Sequence, residues 1–443
     1  MAFRAADLAQ SLERILPAAA TGLVAGVSGG LDSSCLVTAL AALPRSLPLR
    51  AVHIDHGLQS AAGAFRNHVQ ALCARIGVAL DVVSVTVDAA AGASLEAAAR
   101  DARYTALAAQ LKAGECLLTA HTRDDQAETF LLQALRGAGP RGLASMPPVR
   151  ELGAGWQLRP LLEVTRDELQ DFAAEQGVAA VTDPMNQDLR FDRVYLRAAL
   201  WPALLQRWPG AVAGLARAAG HSAEAQQQLE RQADLDLVPV RDGAALSVRR
   251  LRRLPQARQL QLLRRWSALA GALPPSTARL DEALRQMLDA RADHLPVVAW
   301  GEHALRRYRD RIFLTPAQLP RLQGTRAWDW RREPTLALGQ GLGSLRAVER
   351  PDGLATRGAP GLLEVRPRAG GERLRPAAAG RTQTLQHLCQ AHGVLPWMRD
   401  ALPLIYRGDA LVAVADLWLC AAPRAAAGEA GLAFVWDQSP SLS

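Results

Sequence analysis

Three groups of residues carry the types and spacings that chemistry needs. The first is Ser28-Gly29-Gly30-Leu31-Asp32-Ser33, preceded by Leu23, Val24, Ala25 and Val27 and followed by an apolar period through Leu36, Leu40 and Leu43. Strand, glycine loop and helix in that order present bare backbone N–H groups at a helix N-terminus, where an anion binds. Glycines at 29 and 30 remove the Cβ atoms that would hinder loop dihedrals and close approach of a phosphate. No lysine follows them, so the loop is not the GxxxxGK[ST] type that grips a terminal phosphate. The plainer alternative is a Ser-Gly-Gly turn with Asp32 merely capping a helix. The second group is His121-Thr122-Arg123-Asp124-Asp125-Gln126-Ala127-Glu128-Thr129. With Thr122 as cap, Asp125 and Glu128 stand three apart on one helix face. Two carboxylates beside a phosphate site can hold Mg²⁺ or the ammonium of an amine, and His121 can contact a nucleotide or assist proton transfer. The helix dipole alone favours acids in a first turn; that covers Asp124, not the trio of His121, Asp125 and Glu128. The third group is Arg193 and Arg197, an i,i+4 pair that either clamps phosphates or is simply solvated.

Elements must bring these groups together. Leu49–Asp55 reads as a second buried strand, with His56-Gly57 directly after it. Residues 60–76 read as a helix, Leu80–Val87 as a strand, Ser94 to about Leu111 as a helix, and Glu115–Ala120 as a strand ending at His121. Trp156–Leu162 reads as a further strand, and Thr165-Arg166-Asp167-Glu168 as the capping box of a helix that ends at Gly177. Strands alternating with helices predict a parallel sheet covered on both faces. Ligands of such sheets sit at the carboxyl ends of the strands, where Ser28, Asp55-His56 and His121 all fall.

The chain has 443 residues, so two or three domains are expected. Its net charge of +8 makes a polyanion such as nucleic acid a plausible partner. The cations are nearly all arginine, with Lys112 the one lysine; arginine suits phosphate recognition, though coding bias explains the skew equally well. The five cysteines form no CxxC pair, which argues against a zinc site, an iron–sulfur cluster or a disulfide framework. With neither a signal peptide nor a membrane span in the sequence, a cytoplasmic protein is expected.

Residues 209–316 read as mainly helical, with a hairpin near 297–314. Ser247–Trp266 carries seven arginines, among them Arg250 and Arg253, beside an apolar stripe; this is a candidate nucleic-acid contact or a solvated face. Residues 317–361, rich in Pro and Gly, read as a linker with a little irregular sheet. Residues 362–435 read as a small α+β unit with hairpins at Gly370-Gly371 and Gly408-Asp409, and Trp397 as core.

SGG-x-DS resembles the PP-loop of ATP pyrophosphatases. In order and spacing, SGGLDS (28–33), HIDHGL (53–58), HTRDDQAET (121–129), RPLL (159–162) and DPMNQD..FDR...R (183–197) resemble the tRNA(Ile)-lysidine synthetase family. Arg368..Gly370-Gly371-Glu372 and Trp397-Met398-Arg399-Asp400 resemble its C-terminal domain. Thr122 and Val194 stand where members usually carry Asn; neither departure removes a charge. The resemblance implies an α/β, Rossmann-like PP-loop domain over 1–208, a helical tRNA-binding domain over 209–316 and a C-terminal tRNA-binding domain over 362–435. It implies an ATP site at Ser28, Gly29, Gly30, Leu31, Asp32, Ser33 and His56, with Asp32 on Mg²⁺. It implies catalytic roles for His121, Asp125, Glu128 and Arg193. Arg197, Arg250, Arg253, Arg373 and Arg399 are the candidate tRNA contacts. The implied activity is a carbon–nitrogen ligase: ATP adenylates the wobble cytidine of isoleucine tRNA with a CAU anticodon, and free L-lysine displaces AMP. A homodimer is also implied. The alternatives are a PP-loop tRNA thiolase, a small-molecule amide ligase, and a non-catalytic RNA-binding protein.

Overall fold

The computed structural model describes residues 3–44, 46–55, 62–85, 95–181, 188–291, 294–351, 353–356, 361–377, 381–421, 425 and 430–440. They form two compact units, Met1–Leu229 and Glu230–Ser443.

The first unit contains α1 (Ala5–Ile15), β1 (Gly22–Gly26), α2 (Leu31–Ala42), β2 (Leu49–Asp55), α3 (Ala62–Ile76), β3 (Ala79–Ser84) and α4 (Leu95–Ala109). Then come β4 (Glu115–Leu118), α5 (Arg123–Leu135), α6 (Pro140–Leu143), β5 (Val149–Leu152), β6 (Gly155–Leu158) and α7 (Arg166–Gln176). The six strands form one sheet in the order β3-β2-β1-β4-β6-β5. All pairs are parallel except the β5–β6 hairpin. The expected strand at 156–162 is thus β6, shorter and paired back on β5. Two cores cover the two faces. Leu36, Leu40, Cys116 and Leu158 pack on one side; Val24, Val52, Ile54, Leu107 and Leu117 pack on the other. That two-sided burial is why these strands read as continuous apolar runs.

α8 (Asp192–Tyr195) leads into a π-helical turn at Leu196–Leu200 and then α9 (Trp201–Arg207). Leu196 and Trp201 bury against Ala127 of α5, so the apolar side of this segment sets its arginines beside the acids of α5. Residues Ala211–Val240 form α10.

The second unit holds β7 (Arg241–Asp242), β8 (Ala245–Ser247), α11 (Val248–Leu251), α12 (Gln256–Leu269), α13 (Thr277–Asp289), β9 (Val297–Trp300), β10 (His303–Tyr308) and β11 (Arg311–Pro316). The stretch expected as mainly helical therefore also carries a five-stranded sheet, β7-β8-β11-β10-β9. Beyond it lie β12 (Arg326–Asp329), β13 (Thr335–Gly339), β14 (Gly343–Arg350) and β15 (Leu362–Arg366). The short pair β16 (Arg373–Leu374) and β17 (Gln383–Thr384) precedes α14 (Leu385–Ala391). The last strands are β18 (Leu404–Arg407), β19 (Ala410–Val414), β20 (Trp418–Leu419) and β21 (Gly431–Asp437).

The expected linker over 317–361 is corrected here. β12 pairs with β15 and β14 pairs with β21, and Trp328, Leu336, Leu338 and Leu345 are buried in the C-terminal core. Backbone groups that find ladder partners this remote in sequence leave no local signal. Trp397 lies edge-on to Phe313 at 5.4 Å, a packing position as expected. Among the described residues no helix is long and apolar enough to cross a membrane.

Candidate active site

The loop after β1 is tied by its own hydroxyls. Ser28 N–H donates to Ser33 Oγ at 3.1 Å, the two serine hydroxyls stand 3.0 Å apart, and Ser33 Oγ donates to Gly30 O at 3.1 Å. Gly29 has φ +92°, and a Cβ there would lie 2.9 Å from Phe65 of α3. Glycine at 29 is thus required by both backbone and packing, not only by ligand approach. Gly30 is the N-cap of α2, so the first N–H groups of that helix face outward from the loop.

These loop residues line a cleft of about 370 Å³, in the size range of small-molecule sites. Ser28, Gly30, Asp32 and Ser33 form one wall; Arg103, Tyr104, Thr119 and His121 stand on another, with Phe65 and Val181 adding apolar surface. The Ser-Gly-Gly turn and His121, which the sequence placed at one sheet edge, therefore open on a common space. Leu31 begins α2. His56 lies outside the described residues. His53, marked in the sequence only as the first residue of HIDHGL and given no role of its own, is buried with Nδ1 2.8 Å from Val27 O, bracing β2 against the loop.

Thr122 caps α5 in a reciprocal capping box with Asp125. Asp125 accepts from Thr122 N–H at 2.9 Å through Oδ2, which leaves Oδ1 for guanidinia. Arg166 and Arg197 each donate to that Oδ1 at 3.0 Å. Glu128, fully buried, receives Arg197 through Nε at 2.6 Å and Nη2 at 2.8 Å, and Arg166 at 3.3 Å. Arg193 lies 3.6 Å from Glu128 and donates to Thr129 Oγ1 at 2.8 Å. Arg166 also reaches Asp32, 3.7 Å away on the loop helix. Three carboxylates and three guanidinia make one network joining α2, α5, α7 and the helical segment 192–207. Arg197, a candidate tRNA contact, is also a member of it, with its guanidinium bonded to two buried acids. Arg166 was legible only as the first residue of a capped helix; nothing local marked it as the bridge.

The network fixes charges. Burial would push the Asp125 carboxyl up, but Arg166, the Thr122 N–H, His121 and Arg197 together hold it below the usual range. The Asp32 carboxyl is pushed up by burial, and by Asp125 and Asp124, against the pull of Arg166 and Arg197. His121 is pushed down to about 3 by burial and by Arg159, Arg100 and Arg103, against Asp125, so its imidazole is neutral at ordinary pH. Burial and the neighbouring Asp32 push the Cys35 thiol up to about 12. All five cysteines are free and buried.

The remaining candidate contacts lie in the second unit. Arg250 donates to Pro239 O at 2.9 Å and Arg241 O at 3.2 Å, closing the end of α10. Arg253 and Arg373 are exposed. Arg399 is a correction: it is 8% exposed and bonds Val394 O at 3.3 Å, so it braces the core. Arg258 pairs with Asp236, and Arg265 with Asp234 at 2.7 Å, so part of the basic segment is spent internally.

Family descriptions match three stretches of the chain: a PP-loop domain over residues 5–204, a TilS substrate binding domain over 246–313, and a TilS substrate C-terminal domain over 363–436. Among its relatives is the tRNA(Ile)-lysidine synthase of Alkalilimnicola ehrlichii, 45% identical over 404 residues and 90% of each chain. The tRNA(Ile)-lysidine synthase of Coxiella burnetii is 40% identical over 396 residues, 89% of this chain and 88% of its own. That of Pseudomonas aeruginosa is 42% identical over 446 residues, 96% of each chain.

Proposed function

The chain belongs to the tRNA(Ile)-lysidine synthase family, and from that premise we propose that it ligates free L-lysine to C2 of the wobble cytidine of isoleucine tRNA with a CAU anticodon. The observation that carries this reading is that the phosphate loop and His121 line one cleft, with Arg166 linking Asp32 of that lining to the buried acids Asp125 and Glu128.

An amine cannot displace a carbonyl oxygen from a cytosine ring without activation. ATP supplies it: the C2 oxygen of the cytidine attacks the α phosphorus and pyrophosphate leaves. The lysine amine then attacks C2 and AMP departs with the oxygen. The Ser28–Ser33 turn holds the triphosphate on its N–H groups. Arg193, partly freed by its long 3.6 Å contact to Glu128, is the guanidinium available to charge developing on the phosphate. Asp125 and Glu128 attract the lysine ammonium in exchange for a guanidinium partner, and one of them takes the amine proton. Mg²⁺ fits beside Asp32, a carboxylate whose buried charge is only partly met by Arg166; such a cation needs one or two carboxylates plus phosphate oxygens. When bound it neutralises phosphate charge.

A thiolase reading needs a reactive sulfur. Every cysteine here is buried, and Cys35, on the loop helix α2, is held as a thiol. Exposed Arg253 and Arg373 are the tRNA-backbone contacts of this proposal, within the 209–316 and 362–435 segments. The reading also carries a cytoplasmic homodimer, for which sedimentation of the full chain is the check. The activity is tested by incubating the chain with ATP, labelled lysine and tRNA. Label must become RNA-bound with the CAU-anticodon isoleucine tRNA and not with elongator methionine tRNA; lysine that stays free while ATP is cleaved with a sulfur donor or glutamine contradicts it.

A further inference from the structure

His121 presents one ring nitrogen to a chain of side chains that runs away from the cleft. Its Nδ1 lies 3.0 Å from Thr119 Oγ1, just past the end of β4. Thr119 Oγ1 receives Gln157 Nε2 at 2.9 Å, from β6. The orientation of that amide is dictated from behind: Arg150 Nε donates to Gln157 Oε1 at 2.6 Å, and Arg159 Nη2 donates to it at 2.9 Å. Guanidinium groups can only donate, so the oxygen must face them and the NH₂ must face Thr119. Gln157 is completely buried and Arg159 nearly so, so water does not reset the order at the amide, while Thr119 borders the cleft.

Donor and acceptor roles then propagate. Thr119 Oγ1 accepts from Gln157 and keeps one proton to give. Two acceptors are within reach: His121 Nδ1 at 3.0 Å and Leu158 O at 3.4 Å. The first has ordinary hydrogen-bond length and the second lies at the weak limit. Leu158 O already accepts Thr119 N–H at 3.0 Å, so the better acceptor for the hydroxyl proton is Nδ1, and a neutral imidazole with an acceptor at Nδ1 carries its hydrogen on Nε2. The reverse order, Nδ1–H into the second lone pair of Thr119 Oγ1 with the hydroxyl proton on Leu158 O, is the Nδ1–H ring that the test below detects. Nε2 has no hydrogen-bond partner among the described residues, and His121 lines the cleft.

We propose that Arg150, Arg159, Gln157 and Thr119 are positioning residues that fix His121 as the Nε2–H tautomer, so that it gives the reacting nucleotides a hydrogen-bond donor and not a general base. The role rests on the ligase reading above. A neutral imidazole donor polarises an oxygen on which charge develops without having to lose a proton itself. In the proposed reaction such oxygens are those of the α phosphate as it is attacked. The amine proton then falls to the carboxylates, not to the histidine.

The test is the tautomer itself. In full-length protein labelled with ¹⁵N-histidine, long-range proton–nitrogen correlations distinguish Nε2–H from Nδ1–H rings; His121 is identified by the signal lost in His121→Gln. Wild type is expected as Nε2–H, Thr119→Val as a mixture or the other tautomer, and Thr119→Ser as wild type. Thr119→Val is expected to lower the rate of tRNA-dependent ATP–pyrophosphate exchange about tenfold, the size of one hydrogen bond, with the KM for ATP unchanged and activity restored in Thr119→Ser. An Nδ1–H ring in wild type overturns the proposal. So does an Nε2–H ring that survives Thr119→Val. The spectrum does not depend on lysine transfer, so a protein that fails to modify tRNA yet shows Nε2–H would sink the ligase reading and leave the tautomer standing.

Discussion

Glu128 is the residue whose environment is most demanding. It is fully buried among Arg166, Arg193 and Arg197, and removing one partner of a buried ion pair leaves the others uncompensated. Glu128→Gln should cost about 3 kcal/mol of stability, read as a lower denaturant midpoint with an unchanged slope; an unaltered midpoint would show the guanidinia to be adequately solvated without it. His121 makes a pH prediction. Its folded value of about 3 lies below the ordinary 6.5, so between those values the unfolded chain binds the extra proton and stability rises with pH. Lowering pH from 7 to 5 should cost about 2 kcal/mol through this group, and His121→Gln should flatten the dependence measured by denaturation at the two pH values. Asp125, held low, adds a loss in the same direction only below the ordinary carboxylate range. His121, Asp125 and Glu128 were legible because a cap and two acids at helical spacing announce themselves in one stretch. Arg166, Thr119 and Gln157 were not: each looks locally like a capping-box or strand residue, and only tertiary contact gives it a role. Arg399 read as a candidate tRNA contact because sequence does not show that it is buried with its carbonyl partner, Val394 O.

Elements carry the loop geometry. Gly29 sits at φ +92° with Phe65 of α3 where a Cβ would go. Gly29→Ala should cost about 1–3 kcal/mol in strain and weaken ATP binding, measured by titration calorimetry; full ATP affinity would mean the turn tolerates a shift of α3. The alternating strands and helices of the first unit were readable because parallel strands buried on both faces are apolar throughout and their partners arrive one crossover later. The strands over 326–350 were not readable, since β14 finds β21 across the whole C-terminal segment. Ending the chain at residue 361 should therefore strip protection in hydrogen exchange from the amides of β12 and from the β14 amides that bond β21 rather than β13, because β15 and β21 are gone. Amides that stay protected would restore the view of 317–361 as a self-sufficient connector.

For the whole molecule, the charge of +8 sets how RNA is met. Affinity for tRNA should fall with salt, with a log–log slope steeper than about −2. Arg253→Glu and Arg373→Glu should each make the slope shallower by about 1 without changing ATP affinity; a slope unmoved by both would place the backbone contacts elsewhere. The central claim is that one cleft both activates a nucleobase and receives an amine. The most direct measurement is a single turnover with ATP labelled at the α phosphate and isoleucine tRNA of CAU anticodon, first without lysine and then with it. The account predicts label that becomes RNA-bound and is then released as AMP when lysine is added. Label that appears as free AMP without passing through RNA, or that stays on RNA in the presence of lysine, would contradict it.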